Sequence, residues 1–99
     1  MSFQFDLDPK EIAAAELVGS VGRQLQQALA ARKAQSKLTQ QEIANRLGID
    51  RARVNKCFSG YNNLTLKTLA ELAWAMDASI HVEIRPNEAA DEQPGHAPR

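Results

Sequence analysis

The stretch that decides the fold is residues 39–57, which read TQQEIANRLGIDRARVNKC. It begins with a capping box, in which the Thr39 hydroxyl accepts from the Glu42 N–H and the Glu42 carboxylate accepts from the Thr39 N–H. Gly48 stands where the chain has to turn left-handed, which glycine does without steric cost. Asp50 is suited to cap a second helix. The pattern predicts two short helices, Gln40–Leu47 and Arg51–Phe58.

The apolar residues of these two helices recur at helical spacing. Gly48 follows Ala44 after four positions. A small residue is needed at Ala44 because the second helix crosses close to it. The apolar faces comprise Ile43, Ala44 and Leu47 in the first helix and Val54, Cys57 and Phe58 in the second. Both helices are therefore expected to pack into one core.

With Val54 ten positions after Ala44, the chain resembles the Cro/repressor-type (Xre-like) helix-turn-helix family. Residues 59–60 are similar to the turn that follows the recognition helix in that family. Residues 64–73 are similar to its fourth helix, including the Thr-Leu pair. The resemblance covers roughly residues 21–78, and it implies a compact helical DNA-binding domain that is commonly dimeric.

The residues before this motif predict a further helix. Asp8, Pro9 and Glu11 form a strong helix start, because proline is favoured in the first helical turn and acidic residues suit its N-terminus. The helical pattern continues to about Ser36, although Gly19 weakens it enough to allow a break there. Its core-facing positions are Ile12, Val18, Val21, Leu25, Ala28 and Leu29.

A fourth helix is predicted after the motif. Thr65 can cap it, and it is expected to run to Met76 with its apolar residues inward. These residues are Leu66, Leu69, Leu72, Ala73 and Met76. We expect a mainly α fold, a compact four- to five-helix Cro/repressor-like domain with a C-terminal β-strand at residues 79–85.

That strand is a departure from the family, whose members often continue into a fifth helix. Ile80, Val82 and Ile84 alternate with polar residues and are all β-branched, which is typical of a half-exposed strand. A lone strand needs a partner for its backbone groups. The candidates are the same strand of a second protomer, which we favour, and the alternating segment at residues 3–7; a short extra strand within a monomer is the third interpretation.

Charge is unevenly distributed although the net charge is zero. Ten Lys and Arg stand against five Asp and Glu in residues 20–86, whereas both flanking segments are acidic. A basic domain suits phosphate binding. The acidic ends are expected to aid solubility. The predicted organisation is an acidic arm and helix start (1–19), a helix-turn-helix domain (20–78), a dimerisation strand (79–86) and a disordered tail (87–99).

The resemblance implies that bases are contacted by the first two residues of the recognition helix and by its next turn. These positions are Arg51, Ala52, Asn55 and Lys56. Arg51 and Lys56 are suited to guanine, and Asn55 is suited to adenine. The Ala52 methyl suits the methyl group of thymine. For each polar residue the alternative is an ordinary solvated side chain.

Other polar residues are candidates for the DNA backbone. Gln40 opens the first motif helix, where its side chain and the free N–H groups suit a phosphate. Arg46 and Arg53 are expected on other faces, toward phosphate or solvent. The loop and helix that follow add further phosphate candidates, Asn62, Asn63 and Lys67.

The sequence argues against several functional classes. No paired carboxylates, activated nucleophile or phosphate loop point to an enzyme or a cofactor. Two isolated His and one Cys do not have the spacing of a metal site. No run of apolar residues is long enough for a membrane span, and no signal peptide is visible. The single Cys57 favours a reducing cytoplasm. The family resemblance implies a bacterial or phage-encoded protein. Trp74 lies off the apolar stripe of its helix and is expected to pack against the N-terminal arm or, at a dimer interface, against a second protomer.

Two functions remain. The first is a transcriptional regulator, in particular a repressor, that binds a near-palindromic operator in double-stranded DNA as a homodimer. The second is an antitoxin, which binds its own operator and neutralises a toxin partner through its arm or tail. The self-capped, alanine-rich start of the first helix favours a fixed structural role for the arm, and so favours the regulator.

Overall fold

The computed structural model describes residues 8–59 and 63–88, and its secondary structure is helical. The mainly α prediction is confirmed for these residues. The helices are α1 (Pro9–Ser36), α2 (Gln40–Leu47), α3 (Arg51–Phe58) and α4 (Leu66–Ala75). The bounds predicted for the two motif helices are confirmed, and α4 ends one residue before Met76, which is its C-cap.

Helix α1 is a single helix of 28 residues. The Asp8 carboxylate accepts from the Lys10 N–H at 2.9 Å, and Pro9 occupies the first turn. Lys37, in the left-handed region at φ 60°, ends the helix. The break that the sequence allowed near Gly19 does not occur, and Gly19 is buried within the helix. The helix therefore crosses the boundary predicted between the arm and the domain without interruption.

The turn between α2 and α3 forms as its sequence requires. The Thr39 hydroxyl accepts from the Glu42 N–H at 3.1 Å, and the Glu42 carboxylate accepts from the Thr39 N–H at 3.0 Å. Gly48 has a φ of 70°, and the Ile49 N–H bonds back to the Ala44 carbonyl at 3.1 Å. These bonds fix the angle at which α3 leaves α2.

One apolar core joins the four helices. Ile43, Val54 and Leu72 are fully buried at the point where α2, α3 and α4 meet. The buried apolar residues that surround them are Leu25, Leu29, Leu38, Ala44, Phe58, Ala73, Ala75 and Met76. Two core predictions are wrong: Leu66 is 77% exposed in the first turn of α4, and Ile12 is 40% exposed near the start of α1.

The C-terminus of α4 closes in a Schellman motif. Asp77 takes the left-handed conformation at φ 55°, and the Ala78 N–H bonds to the Ala73 carbonyl at 2.8 Å. Aspartate is among the few residues other than glycine that tolerate this conformation. The motif turns the chain sharply, so that residues 79–83 run back beside α1.

Beyond Ala78 the chain forms no strand within the described residues. The apolar residues predicted for the dimerisation strand, Ile80, Val82 and Ile84, are exposed on a single chain. Residues 3–7 and most of the predicted tail lie outside the described part of the chain. None of the described helices is long and apolar enough to cross a membrane.

Candidate nucleic-acid interface

Helix α3 packs one side into the core and presents the other. Val54 and Phe58 are buried at 0% and 5% exposure, and Cys57 is half-buried beside them. Because successive residues of an α-helix are rotated by about 100°, Ala52 and Lys56 lie on the side opposite Val54. The outward face of α3 is therefore held in place by apolar contacts behind it.

All four residues predicted to read bases are exposed on this helix. Arg51 and Asn55 lie together on one flank of the outward face, and Ala52 and Lys56 lie at its centre, within an arc of about 140°. The face thus combines two cationic side chains, one amide and one methyl group. Each of these groups matches a feature of base-pair edges in the major groove.

Arg53 is exposed on the opposite flank of α3. It lines a groove of about 330 Å³ together with Glu71 and Trp74 of α4. This places Arg53 away from the four base-reading candidates. From this flank a long arginine side chain can still reach a phosphate at the edge of a DNA groove. The contact of Arg53 with the DNA backbone therefore stays a prediction.

The other phosphate candidates lie at the N-terminal ends of α2 and α4. Gln40 is the first residue of α2 and is half-buried. Asn63 and Lys67 are exposed just before and just inside α4. Asn62 lies outside the described residues. Backbone N–H groups in the first turn of a helix have no partner within it, so both ends offer donors for an anion.

Charge is concentrated around this surface. Residues 51–67 contain four Lys and Arg residues and no Asp or Glu. The acidic residue just before this stretch, Asp50, accepts from the Arg53 N–H at 2.8 Å and so caps α3. The outward face of α3 consequently carries net positive charge, as binding to a phosphate backbone requires.

Arg46 makes contacts within the fold that the sequence did not predict. Its Nη1 donates to the Ala75 carbonyl at 2.6 Å and lies 3.3 Å from an Asp77 carboxylate oxygen. The side chain ties α2 to the C-terminus of α4, where a cation is favoured by the helix dipole. It remains 41% exposed to solvent, and its contact with phosphate stays a prediction.

Two further side chains of α1 position the motif, and sequence reasoning missed both. The Gln26 Nε2 donates to the Phe58 carbonyl at 2.7 Å, which satisfies the C-terminal end of α3. The Arg32 Nε donates to the Met76 carbonyl at 2.8 Å and its Nη2 to the Asp77 carbonyl at 2.5 Å. In the sequence, the only sign of either contact is that each of these polar residues lies next to the apolar stripe of α1.

Trp74 is 65% exposed and lies apart from the other residues predicted for a dimer interface. It lines the groove beside Arg53, whereas Ile80 and Val82 line a second groove between α1 and α4. The two grooves lie on different sides of α4. In the described part of the chain, no three His, Cys, Asp or Glu residues are grouped as a metal ion would need.

Comparison with known proteins identifies the helical unit. Residues 29–81 match a helix-turn-helix family model, and the match covers the last eight residues of α1, all of α2 to α4 and the start of the following segment. The match covers more than half of the 99 residues. Comparisons with curated proteins and with solved structures give no match.

Proposed function

The chain belongs to the Cro/repressor-type helix-turn-helix family, a DNA-binding and not an enzyme family, and from this we propose that it is a sequence-specific transcriptional regulator of double-stranded DNA. The observation that carries the proposal is the outward face of α3, in which Arg51, Asn55 and Lys56 are exposed while Val54 and Phe58 anchor the helix. In this reading α3 enters the major groove.

Base recognition follows from the chemistry of that face. Arg51 and Lys56 donate to guanine O6 and N7, and Asn55 pairs with adenine N6 and N7. The Ala52 methyl packs against a thymine methyl. Gln40, Arg53, Asn63 and Lys67 hold the flanking phosphates and set the register of the helix in the groove.

The proposed regulator acts as a homodimer. A single recognition helix of eight residues reads only a few base pairs, so two copies about one helical turn apart are needed for a useful operator. A two-fold protein requires a near-palindromic site. The exposed apolar residues of the segment after α4 supply a surface for the second copy. Binding across a promoter excludes the polymerase, which makes the regulator a repressor.

One observation favours the antitoxin as a second candidate. The first nine residues of α1, 9–17, are all exposed, and among them Ile12 and Leu17 are large and apolar. A helix of this kind, with Glu11 and Glu16 on its surface, is suited to a basic protein partner. The two functions share the DNA-binding face and differ only in what α1 does.

Selection of binding sites from a random duplex pool tests the proposal. The purified protein is incubated with the pool at near-physiological salt, and the retained duplexes are sequenced. An inverted repeat with half-site centres about one helical turn apart is expected. Enrichment of no sequence would contradict sequence-specific regulation.

Substitutions in α1 separate the two candidates. Ile12→Asp is expected to leave operator binding unchanged under both, because Ile12 is exposed on α1 and lies outside the grooves beside α4. Under the antitoxin reading it releases the toxin, so co-expression with the product of a neighbouring reading frame becomes lethal. Gln27→Asp, which adds the same charge at an exposed position of α1 beyond residues 9–17, is the matched control. Survival of cells carrying Ile12→Asp would count against the antitoxin.

A further inference from the structure

In the segment that follows α4, each successive apolar side chain is more exposed than the one before it. Ile80 is 42% exposed, Val82 is 66% exposed and Ile84 is 91% exposed. Arg85 Nε and Glu83 Oε2 lie 3.5 Å apart, so the side chains two residues apart point to the same side, as in a strand. The segment thus has strand-like alternation without a partner strand in the described residues.

An open groove lies beside the start of this segment. It has a volume of about 400 Å³ and is bounded by apolar residues of α1 and α4 on one side and by Ile80 on the other. The apolar residues that line it include Leu17, Val21, Leu25, Leu69 and Ala73. One isolated chain leaves both this groove and Ile84 exposed to water, and burial of both is favourable.

We propose that residues 79–85 pair with the same residues of a second copy in an antiparallel ribbon centred on Val82, and that the partner's Ile84 enters the groove beside Ile80. The proposal rests on the homodimer of the proposed function and adds the register in which residues 79–85 of the two copies pair. In such a ribbon Val82 faces the partner's Val82, and Ile80 faces the partner's Ile84. Two-fold symmetry fills both grooves at once.

The alternation of apolar and polar residues along the segment excludes half of the registers in which two copies could pair. Residues that face each other in an antiparallel pair have their side chains on the same side of the ribbon. A shift by one residue would set Ile80 and Val82 against polar side chains and expose the apolar face of one strand. Only ribbons centred on a residue, such as His81, Val82 or Glu83, keep the apolar residues together.

Charge selects among these three centres. A ribbon centred on Glu83 sets two carboxylates against each other and sets His81 against the partner's Arg85, which is unfavourable. A ribbon centred on His81 leaves Ile84 against the small Ala78. The ribbon centred on Val82 sets His81 beside the partner's Glu83, where the imidazole N–H can donate to the carboxylate. It also pairs all apolar residues of both strands with one another.

The end of α4 directs the segment into this arrangement. Arg32 and Arg46 bind the carbonyls of Ala75, Met76 and Asp77, and the Schellman motif fixes the turn after them. The segment therefore leaves the domain in a defined direction. Because the ribbon begins at this fixed turn, it sets the distance between the two copies of α3.

Cysteine substitution tests the register in the full chain. Cys57 is first replaced by Ala, and His81→Cys, Val82→Cys and Glu83→Cys are each introduced separately. A cysteine at the centre of the ribbon faces its own copy, so only that variant forms a rapid interchain disulfide on mild oxidation. Val82→Cys is expected to cross-link at least about tenfold faster than His81→Cys or Glu83→Cys.

The outcomes separate the register from the dimer. If light scattering gives the mass of a dimer and His81→Cys or Glu83→Cys cross-links fastest, the Val82 register is wrong while the homodimer stands. If all variants and the parent chain have the mass of a monomer, the homodimer itself fails, and the register fails with it. Circular dichroism of each reduced variant establishes that it is folded.

Two substitutions test the occupant of the groove. Ile84→Ala is expected to raise the dissociation constant of the dimer by at least about tenfold, because each copy loses one buried side chain. Leu66→Ala, which removes the same number of carbon atoms from an exposed apolar residue outside this groove, is expected to leave it unchanged. If Ile84→Ala leaves the dissociation constant of the dimer unchanged and Phe5→Ala lowers the free energy of unfolding, the groove is assigned to residues 1–7 of the same chain.

Discussion

Arg46 of α2 donates from Nη1 to the carbonyl of Ala75, the last residue of α4, at 2.6 Å. Arg32 of α1 binds the next two carbonyls, those of Met76 and Asp77. Two cations from different helices thus meet the negative end of the α4 dipole, where the last carbonyls lack partners in the helix. This contact joins the DNA-binding motif to the segment proposed for dimerisation.

Replacement of Arg46 by Gln is expected to lower the free energy of unfolding by about 1–2 kcal/mol, because a charge-assisted hydrogen bond to a half-buried carbonyl is lost. The side chain of Arg46 is 41% exposed, which keeps the effect at the lower end for such bonds. Urea unfolding followed by circular dichroism measures the change. Arg23→Gln, the same substitution at an exposed position of α1, is the control and is expected to change stability little.

Gly48 allows a second prediction, about the backbone alone. Its φ is 70°, and a Cβ added there would meet no atom within 4 Å. Gly48→Ala is therefore expected to destabilise the fold by about 1–2 kcal/mol through left-handed strain and not through a clash. Gly48→Asn is expected to lose less, because asparagine tolerates this conformation. Equal losses in thermal unfolding for the two variants would contradict this explanation.

The local parts of the fold were predictable from the sequence because their causes are local. Thr39, Glu42 and Gly48 determine the ends of α2 through contacts within a few residues, and the structure has the predicted bounds. Asp8 and Thr65 likewise cap the helices that they were predicted to cap. The exposed face of α3 follows from the same helical spacing.

The contacts between distant residues were not predictable in this way. Gln26 and Arg46 resemble ordinary surface residues in the sequence, and only the packing of the helices brings them to the carbonyls of Phe58 and Ala75. Leu66 matched the apolar stripe of α4 but lies in its exposed first turn, where the core does not reach. The strand at residues 79–85 needs a partner chain, and a single chain does not test it.

Arg51→Ala and Lys56→Ala are each expected to weaken binding to the selected operator by about 1–3 kcal/mol and to relax specificity at one base pair. Binding to random duplexes should weaken less, because duplexes of unrelated sequence offer these side chains few matching base contacts that could be lost. Fluorescence anisotropy with both duplexes at one salt concentration measures the difference. Arg23→Ala removes the same charge from α1 and should change both affinities little. Equal losses on operator and random DNA would contradict base reading.

Val82→Asp tests the link between the C-terminal segment and operator binding. The substitution sets two carboxylates against each other at the centre of the proposed ribbon, which is strongly unfavourable. Light scattering should then give the mass of a monomer, and affinity for the full palindrome should fall at least about tenfold. Affinity for a single half-site should be retained, because α3 is unchanged.

Ser79→Asp is the matched control for this prediction, because it adds the same charge to the polar face of the same segment. In the Val82 register residue 79 faces the partner's Arg85, so the added carboxylate should leave the dimer intact or strengthen it. A monomer from both substitutions would show that any added charge disrupts the segment, and the register would lose its support. A dimer from both would mean that the two copies of α3 are joined through another surface of the domain.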